Sequence, residues 1–173
     1  MGTLFRKIER KDEQVLMVFN ETIRCRAFDI LMPVITYLGS LTFCVIFCIV
    51  MFFIPNVMIH FLAVNTAAAL ILSGIAAQII KVSVNRIRPY IRLTGLNIKK
   101  IGIDKYSFPS GHTTAAFTTA VMVSLFFPSI TIPCLLLACS VGISRMYLGV
   151  HFPTDVLVGM MLGVLCSFLI YLI

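Results

Sequence analysis

Eight residues of this 173-residue chain have types and spacings suited to chemistry on an anion: Lys81, Arg88, Ser110, Gly111, His112, Arg145, His151 and Asp155. They fall into three clusters. In KVSVNRIRPY, Lys81 and Arg88 stand seven residues apart. That is nearly two helical turns, so both are expected on one side of a helix end, which Pro89 then stops. Two such cations also serve as snorkelling interfacial anchors. In SFPSGHTT, Ser110 is suited to cap a helix. The N–H groups of Gly111 and His112 then belong to a first turn that has no intrahelical acceptors, a setting that binds phosphate. Glycine lets an anion approach the backbone, and His112 can carry a proton near neutral pH. A boundary histidine with no chemistry is the plainer reading. In SRMYLGVHFPTD, Arg145 ends one helix and Pro153 suits the first turn of the next. Asp155 then reaches back towards His151. A carboxylate on one imidazole nitrogen leaves the other as a nucleophile or base. An acid near a helix N-terminus is also mildly stabilising by itself.

Taken together, three cations, two histidines, one acid and a helix start suit phosphoryl transfer. The cations neutralise the phosphate oxygens, one histidine attacks and the other protonates the leaving oxygen.

The elements that position these groups must lie in a membrane. The chain is 60% hydrophobic and only 12% charged, against about a quarter charged in soluble domains. No Asp, Glu, Lys or Arg occurs in 30–80, 106–144 or 156–173. A crossing helix needs roughly 20 apolar residues. The expected spans are 32–54, 57–84, 111–127, 131–148 and 154–173, with breaks at Ile54–Asn56 and Phe127–Pro133. Pro33 and Leu38–Ser40 are positioned to kink or split the first. The expected fold is all-α: an integral membrane bundle of five helices, six being the alternative, in one domain over 1–173 with the transmembrane part over 32–173.

Residues 1–26 lack the apolar core of a signal peptide. Leu4, Ile8, Val15, Leu16, Val18 and Phe19 could form the apolar face of an interfacial amphipathic helix, with Arg6, Lys7, Arg10 and Lys11 opposite. A frayed basic tail is the other reading. Of the six cysteines, Cys44 and Cys48 sit one turn apart, but small apolar packing explains them more simply than metal ligation. No disulfide framework and no zinc pattern is present.

Five spans place 1–31, 85–110 and 145–155 on one face, and all 14 Lys and Arg residues lie on that face or, like Lys81, at its boundary. The three polar clusters share that face.

Lys81 to Pro89, then Pro109-Ser110-Gly111-His112, then Ser144-Arg145 with His151 and Asp155, resemble the three-part signature of the type 2 phosphatidic-acid phosphatase superfamily at every position. The resemblance implies a membrane lipid phosphatase that needs no metal or other cofactor. It implies that His151 forms a phosphohistidine, that Asp155 orients it and that His112 protonates the leaving group. Lys81, Arg88, Ser110, Gly111 and Arg145 would hold the phosphate. The expected partners are the membrane and a lipid phosphate or pyrophosphate, undecaprenyl pyrophosphate first, with phosphatidylglycerol phosphate or phosphatidic acid as alternatives. Nothing points to nucleic acid, and no signal of oligomeric state is present. A lipid phosphotransferase and a non-catalytic transport or assembly protein remain as other readings. The family expectation is a cytoplasmic membrane protein with its active site outside the cytoplasm. The basic N-terminal segment on that face runs against the positive-inside rule.

Overall fold

The computed structural model describes residues 2–98 and 106–173, with side chains from residue 6 onward. Lys99, Lys100 and Lys105 of the basic connection, and the Leu4 side chain, lie outside the described residues. Eight α-helices follow one another among the described residues, with no named strand: α1 (Gly2–Met17), α2 (Arg26–Ile35), α3 (Leu41–Phe52), α4 (Val57–Val84), α5 (Pro89–Arg92), α6 (Gly111–Phe126), α7 (Thr131–Tyr147) and α8 (Pro153–Tyr171).

Among the described residues, three stretches are long and apolar enough to cross a membrane: Val57–Val84, Pro128–Tyr147 and Pro153–Tyr171. The expected first span is broken. α2, which contains Pro33, runs into a 3-10 turn over Thr36–Gly39, and α3 leaves at 56° to it, so the pair makes one bent crossing at most. The break sits where Gly39 meets α6, and a Cβ on Gly39 would collide with the His112 carbonyl oxygen. The expected span at 111–127 forms as the 16-residue α6. At 1.5 Å per residue it is about 24 Å long, short of a hydrocarbon core of about 30 Å.

α6 is the centre of the bundle and packs on α4, α7 and α8. Its buried surface is rich in small and hydroxyl residues, among them Thr113, Thr114, Ala116, Thr118 and Ala120. In lipid, helices gain little from apolar burial against one another, so close backbone approach and interhelical hydrogen bonds take over. Both occur here. Gly159 and Gly163 of α8 lie against α6, where a Cβ would come within 2.7 Å of the Ser110 carbonyl and 2.6 Å of the Thr114 carbonyl. Thr118 Oγ1 donates to Ser73 Oγ of α4 at 3.1 Å, and Ser167 Oγ of α8 donates to the Thr118 carbonyl at 3.0 Å.

The N-terminal segment forms a helix as expected, extended by a wider π turn over Val18–Thr22. The expected apolar face is divided. Leu16 is fully buried against Leu96, Met146 and Phe152, while Ile8, Val15 and Val18 are exposed. Cys44 is buried beside Thr119, with Sγ 3.8 Å from Oγ1, and none of the six cysteines is bridged.

Candidate active site

The end of α4 differs from the sequence expectation. Asn85, in the left-handed conformation at φ 51°, caps the helix after Val84. The chain then runs extended to Arg88, as the residue before a proline prefers, and Pro89 opens α5 rather than stopping α4. Lys81 is therefore in the last turn of α4, whereas Arg88 lies beyond the helix, buried to 1% exposure. Seven residues of helix do not relate the two side chains. A single antiparallel bridge between Ile87 and Tyr106 ties this segment to the approach to α6.

That bend delivers Arg88 to His151. Arg88 Nη1 donates to the Val150 carbonyl at 3.0 Å and lies 3.3 Å from His151 Nε2. A guanidinium only donates, so Nε2 is the acceptor and the imidazole proton resides on Nδ1. Nδ1 faces Asp155 Oδ2 at 3.5 Å and has no other hydrogen-bond partner among the described residues. This contact is longer than an ordinary hydrogen bond. Asp155 is the third residue of α8. Its Oδ2 also accepts the Phe152 N–H at 2.8 Å, so the carboxylate caps the helix while facing the imidazole. His151 is 2% exposed, and burial, reinforced by Arg145 and Arg88, outweighs the pull of Asp155 and lowers its pKa to about 4. The imidazole is neutral at physiological pH, with the Nε2 lone pair on the arginine side. Arg145, in the last turn of α7, is 1% exposed and donates to Thr36 Oγ1 at 3.0 Å, at the break between α2 and α3.

Ser110 caps α6 as expected. Its Oγ accepts from the Thr113 N–H, and its carbonyl takes the Thr114 N–H at 2.9 Å. The N–H groups of Gly111 and His112 precede both of these bonds. The Ser110 N–H donates to the Asp155 carbonyl at 3.0 Å, which joins the start of α6 directly to the start of α8. Beside Gly111 the space is open: a methyl group added there would meet no atom within 4 Å. Gly111, His112 and Lys81 line one cavity of about 250 Å³ between α3, α4 and α6. An apolar groove of about 470 Å³ continues from it between α3 and α4, with Leu41, Cys44, Leu70 and Gly74 bordering both.

The structure thus joins Arg88, His151 and Asp155 by direct contacts, with Arg145 near enough to act on the His151 charge, links Ser110 to Asp155, and sets Lys81, Gly111 and His112 along one cavity. Sequence reasoning missed Arg86, Asp12 and Thr154. Arg86 Nη1 donates to Asp155 Oδ1 at 2.6 Å and to Thr154 Oγ1 at 2.6 Å, and Arg86 Nη2 donates to Asp12 Oδ2 at 2.7 Å. Arg86 was detectable as a third cation inside the first cluster. Asp12 was not, because one of three acids in the charged run ERKDEQ reads as a solvated position.

Comparisons with known proteins bear on the family and the fold. The chain is 28% identical to the bacitracin transport permease protein BcrC of Bacillus licheniformis, over 84% of this chain and 73% of that protein. It is 29% identical to an undecaprenyl-diphosphatase of Sulfolobus acidocaldarius over 62% of this chain, and spans about half, 53%, of that relative. Among solved structures, Aquifex aeolicus LpxE superposes with a TM-score of 0.83 at 28% identity, covering 92% of this chain and 94% of LpxE. A transmembrane PAP2-type phosphatidylglycerolphosphate phosphatase from Bacillus subtilis superposes with a TM-score of 0.76 at 28% identity, covering 95% of this chain and 85% of that one. The enzyme class read from the signature, a lipid phosphate hydrolase, is that of the phosphatase-named relatives. The PAP2 superfamily matches over residues 62–173, which takes in all three polar clusters, and the chain belongs to that superfamily.

Proposed function

We propose that this protein hydrolyses the phosphate of a membrane lipid through a phosphohistidine on His151. The observation that carries the reading is the relay Arg88–His151–Asp155, with a neutral buried imidazole whose Nε2 faces a cation. In the proposed reaction Nε2 attacks phosphorus, and Asp155 holds the Nδ1 proton and balances the charge that develops on the ring. Arg88, Arg145 and Lys81, with the first N–H groups of α6, stabilise the equatorial oxygens. His112 protonates the leaving oxygen and then takes a proton from the water that cleaves the P–N bond, which returns both histidines to their starting states.

The apolar groove that continues from the cavity beside Lys81 and His112 supports a lipid substrate. Undecaprenyl pyrophosphate is the substrate we favour, in line with the relative that bears that name, and phosphatidylglycerol phosphate or phosphatidic acid is the alternative. We further propose five crossings, with α6 as the central one, in the cytoplasmic membrane with the active site outside the cytoplasm. The placement of 1–173 in one domain belongs to the same proposal, supported by contacts of α1 with α8.

Phosphate release in detergent tests the reading, with undecaprenyl pyrophosphate, phosphatidylglycerol phosphate and phosphatidic acid compared. His151→Ala is expected to lower turnover by about a thousandfold or more while the protein stays folded. Asp155→Asn is expected to slow it less. Near-normal release by folded His151→Ala would refute the mechanism. Release only when a second alcohol acceptor is supplied would favour a phosphotransferase.

A further inference from the structure

Asp155 carries more contacts than one imidazole requires. It is fully buried, and a buried carboxylate needs a compensating charge. Oδ2 serves His151 and the Phe152 N–H, while Oδ1 receives Arg86 at 2.6 Å. The Arg86 guanidinium lies 4.2 Å from the centre of the Phe152 ring, next in sequence to His151. Its other nitrogen is held by Asp12 of α1 at 2.7 Å, and Asp12 is only 3% exposed. Asp12 Oδ1 also accepts the Thr154 N–H at 3.0 Å, and Asp12 Oδ2 accepts the Thr154 hydroxyl. One cation therefore stands between two buried carboxylates, one on α8 and one on a helix more than 140 residues earlier in the chain. Asp12 and Asp155 together fasten the first turn of α8 from outside and inside the helix.

We propose that Arg86 and Asp12 are positioning residues that set the orientation of Asp155, and through it of His151, so that α1 is part of the catalytic apparatus although it contributes no group to the phosphate. The inference rests on His151 being the nucleophile. Arg86 fixes Oδ1, which leaves Oδ2 as the oxygen that faces Nδ1. Asp12 fixes Arg86 in a geometry that spans two carboxylates, which a lysine ammonium cannot reproduce as a planar fork.

The test uses the full-length protein in detergent with undecaprenyl pyrophosphate as substrate and inorganic phosphate as competing ligand. Asp12→Asn, Arg86→Lys and the double variant are compared with wild type and His151→Ala. Each single variant is expected to lower kcat by about tenfold or more while KM and the inhibition constant of phosphate change by less than about threefold. The double variant is expected to be little worse than the worse single, because both act through Asp155. A folded Asp12→Asn and Arg86→Lys with wild-type kcat, beside an inactive His151→Ala, would overturn this inference and leave the nucleophile intact. An active His151→Ala would remove the mechanism on which it stands. A shift in KM and phosphate inhibition at constant kcat would make these residues part of the substrate site and overturn the positioning role. If Arg86→Lys does not fold, Asp12→Asn decides, since the amide keeps the shape of the acid. Loss of fold in both would assign the pair to stability and also overturn the proposal.

Discussion

At the residue scale, the decisive feature is a neutral imidazole that the fold keeps neutral. An unfolded His151 binds a proton at its ordinary pKa of about 6.5, whereas burial in the folded protein lowers this to about 4. Arg145 and Arg88 add to that effect and Asp155 opposes it. Between these values the unfolded chain holds a proton that the folded chain does not, so unfolding is favoured as pH falls through that window. The contribution of His151 to stability is complete above about pH 6.5 and is lost as pH falls towards 4. Thermal unfolding in detergent is therefore expected to show wild type losing stability relative to His151→Gln between about pH 7 and about pH 4.5. A difference between the two proteins that is constant with pH would show that His151 is not held neutral. The placement of Ser110 at the start of α6 and of Asp155 in the first turn of α8 was legible from spacing, because Ser110 and Pro153 announce helix starts. The side-chain relation of Lys81 to Arg88 was not. Asn85 ends α4 by entering the left-handed region, and asparagine in an otherwise helical run is a weak stop signal.

At the element scale, α6 is positioned by how closely α8 can approach it. Gly159 and Gly163 form a small-xxx-small stripe against backbone carbonyls of α6, the contact that also brings Asp155 to Ser110. Adding a methyl at Gly163 forces atoms 2.6 Å apart, and the nearest atom is backbone, which cannot rotate away. Gly163→Ala is expected to destabilise the protein by about 1–3 kcal/mol. Gly74→Ala is the control, because a Cβ there meets nothing within 4 Å. That change is expected to be neutral or to stabilise by up to about 1 kcal/mol through helix propensity. Unfolding curves in one detergent check both, and equal effects would refute the packing argument. Helix ends were legible because charges, prolines and asparagines bracket apolar runs. α4 forms over the expected 57–84, and α7 and α8 fall within a residue or two of expectation. The division of α2 from α3 was signalled by Pro33 and Gly39, but its 56° bend depends on Gly39 meeting the His112 carbonyl, a contact between segments more than 70 residues apart.

At the scale of the whole molecule, charge and chemistry share one end, and α1 decides what that implies for orientation. Six cations precede the first apolar run: Arg6, Lys7, Arg10, Lys11, Arg24 and Arg26. Read alone, they favour a cytoplasmic N-terminus. The structure sets acids of the same segment against cations of the connection after α4. Asp12 meets Arg86, and Glu9 and Glu13 meet Arg92 at 3.0 and 3.3 Å. The segment is fastened to the catalytic end, so the two must lie on the same side of the membrane. The shared face was expected from the count of spans, but the ion pairs that fasten α1 there were not legible in the sequence, because their partners lie far apart in the chain. A proposed extracytoplasmic site therefore carries the N-terminal helix out with it. Cys25, exposed beside α2, and Asn56, exposed in the turn between α3 and α4, report the two ends. In intact cells, a membrane-impermeant maleimide is expected to label a variant whose single cysteine is Cys25. It is expected to spare a variant that carries only Asn56→Cys until the membrane is opened. The reverse pattern would place the catalytic end in the cytoplasm, and with it the lipid headgroup that the enzyme attacks.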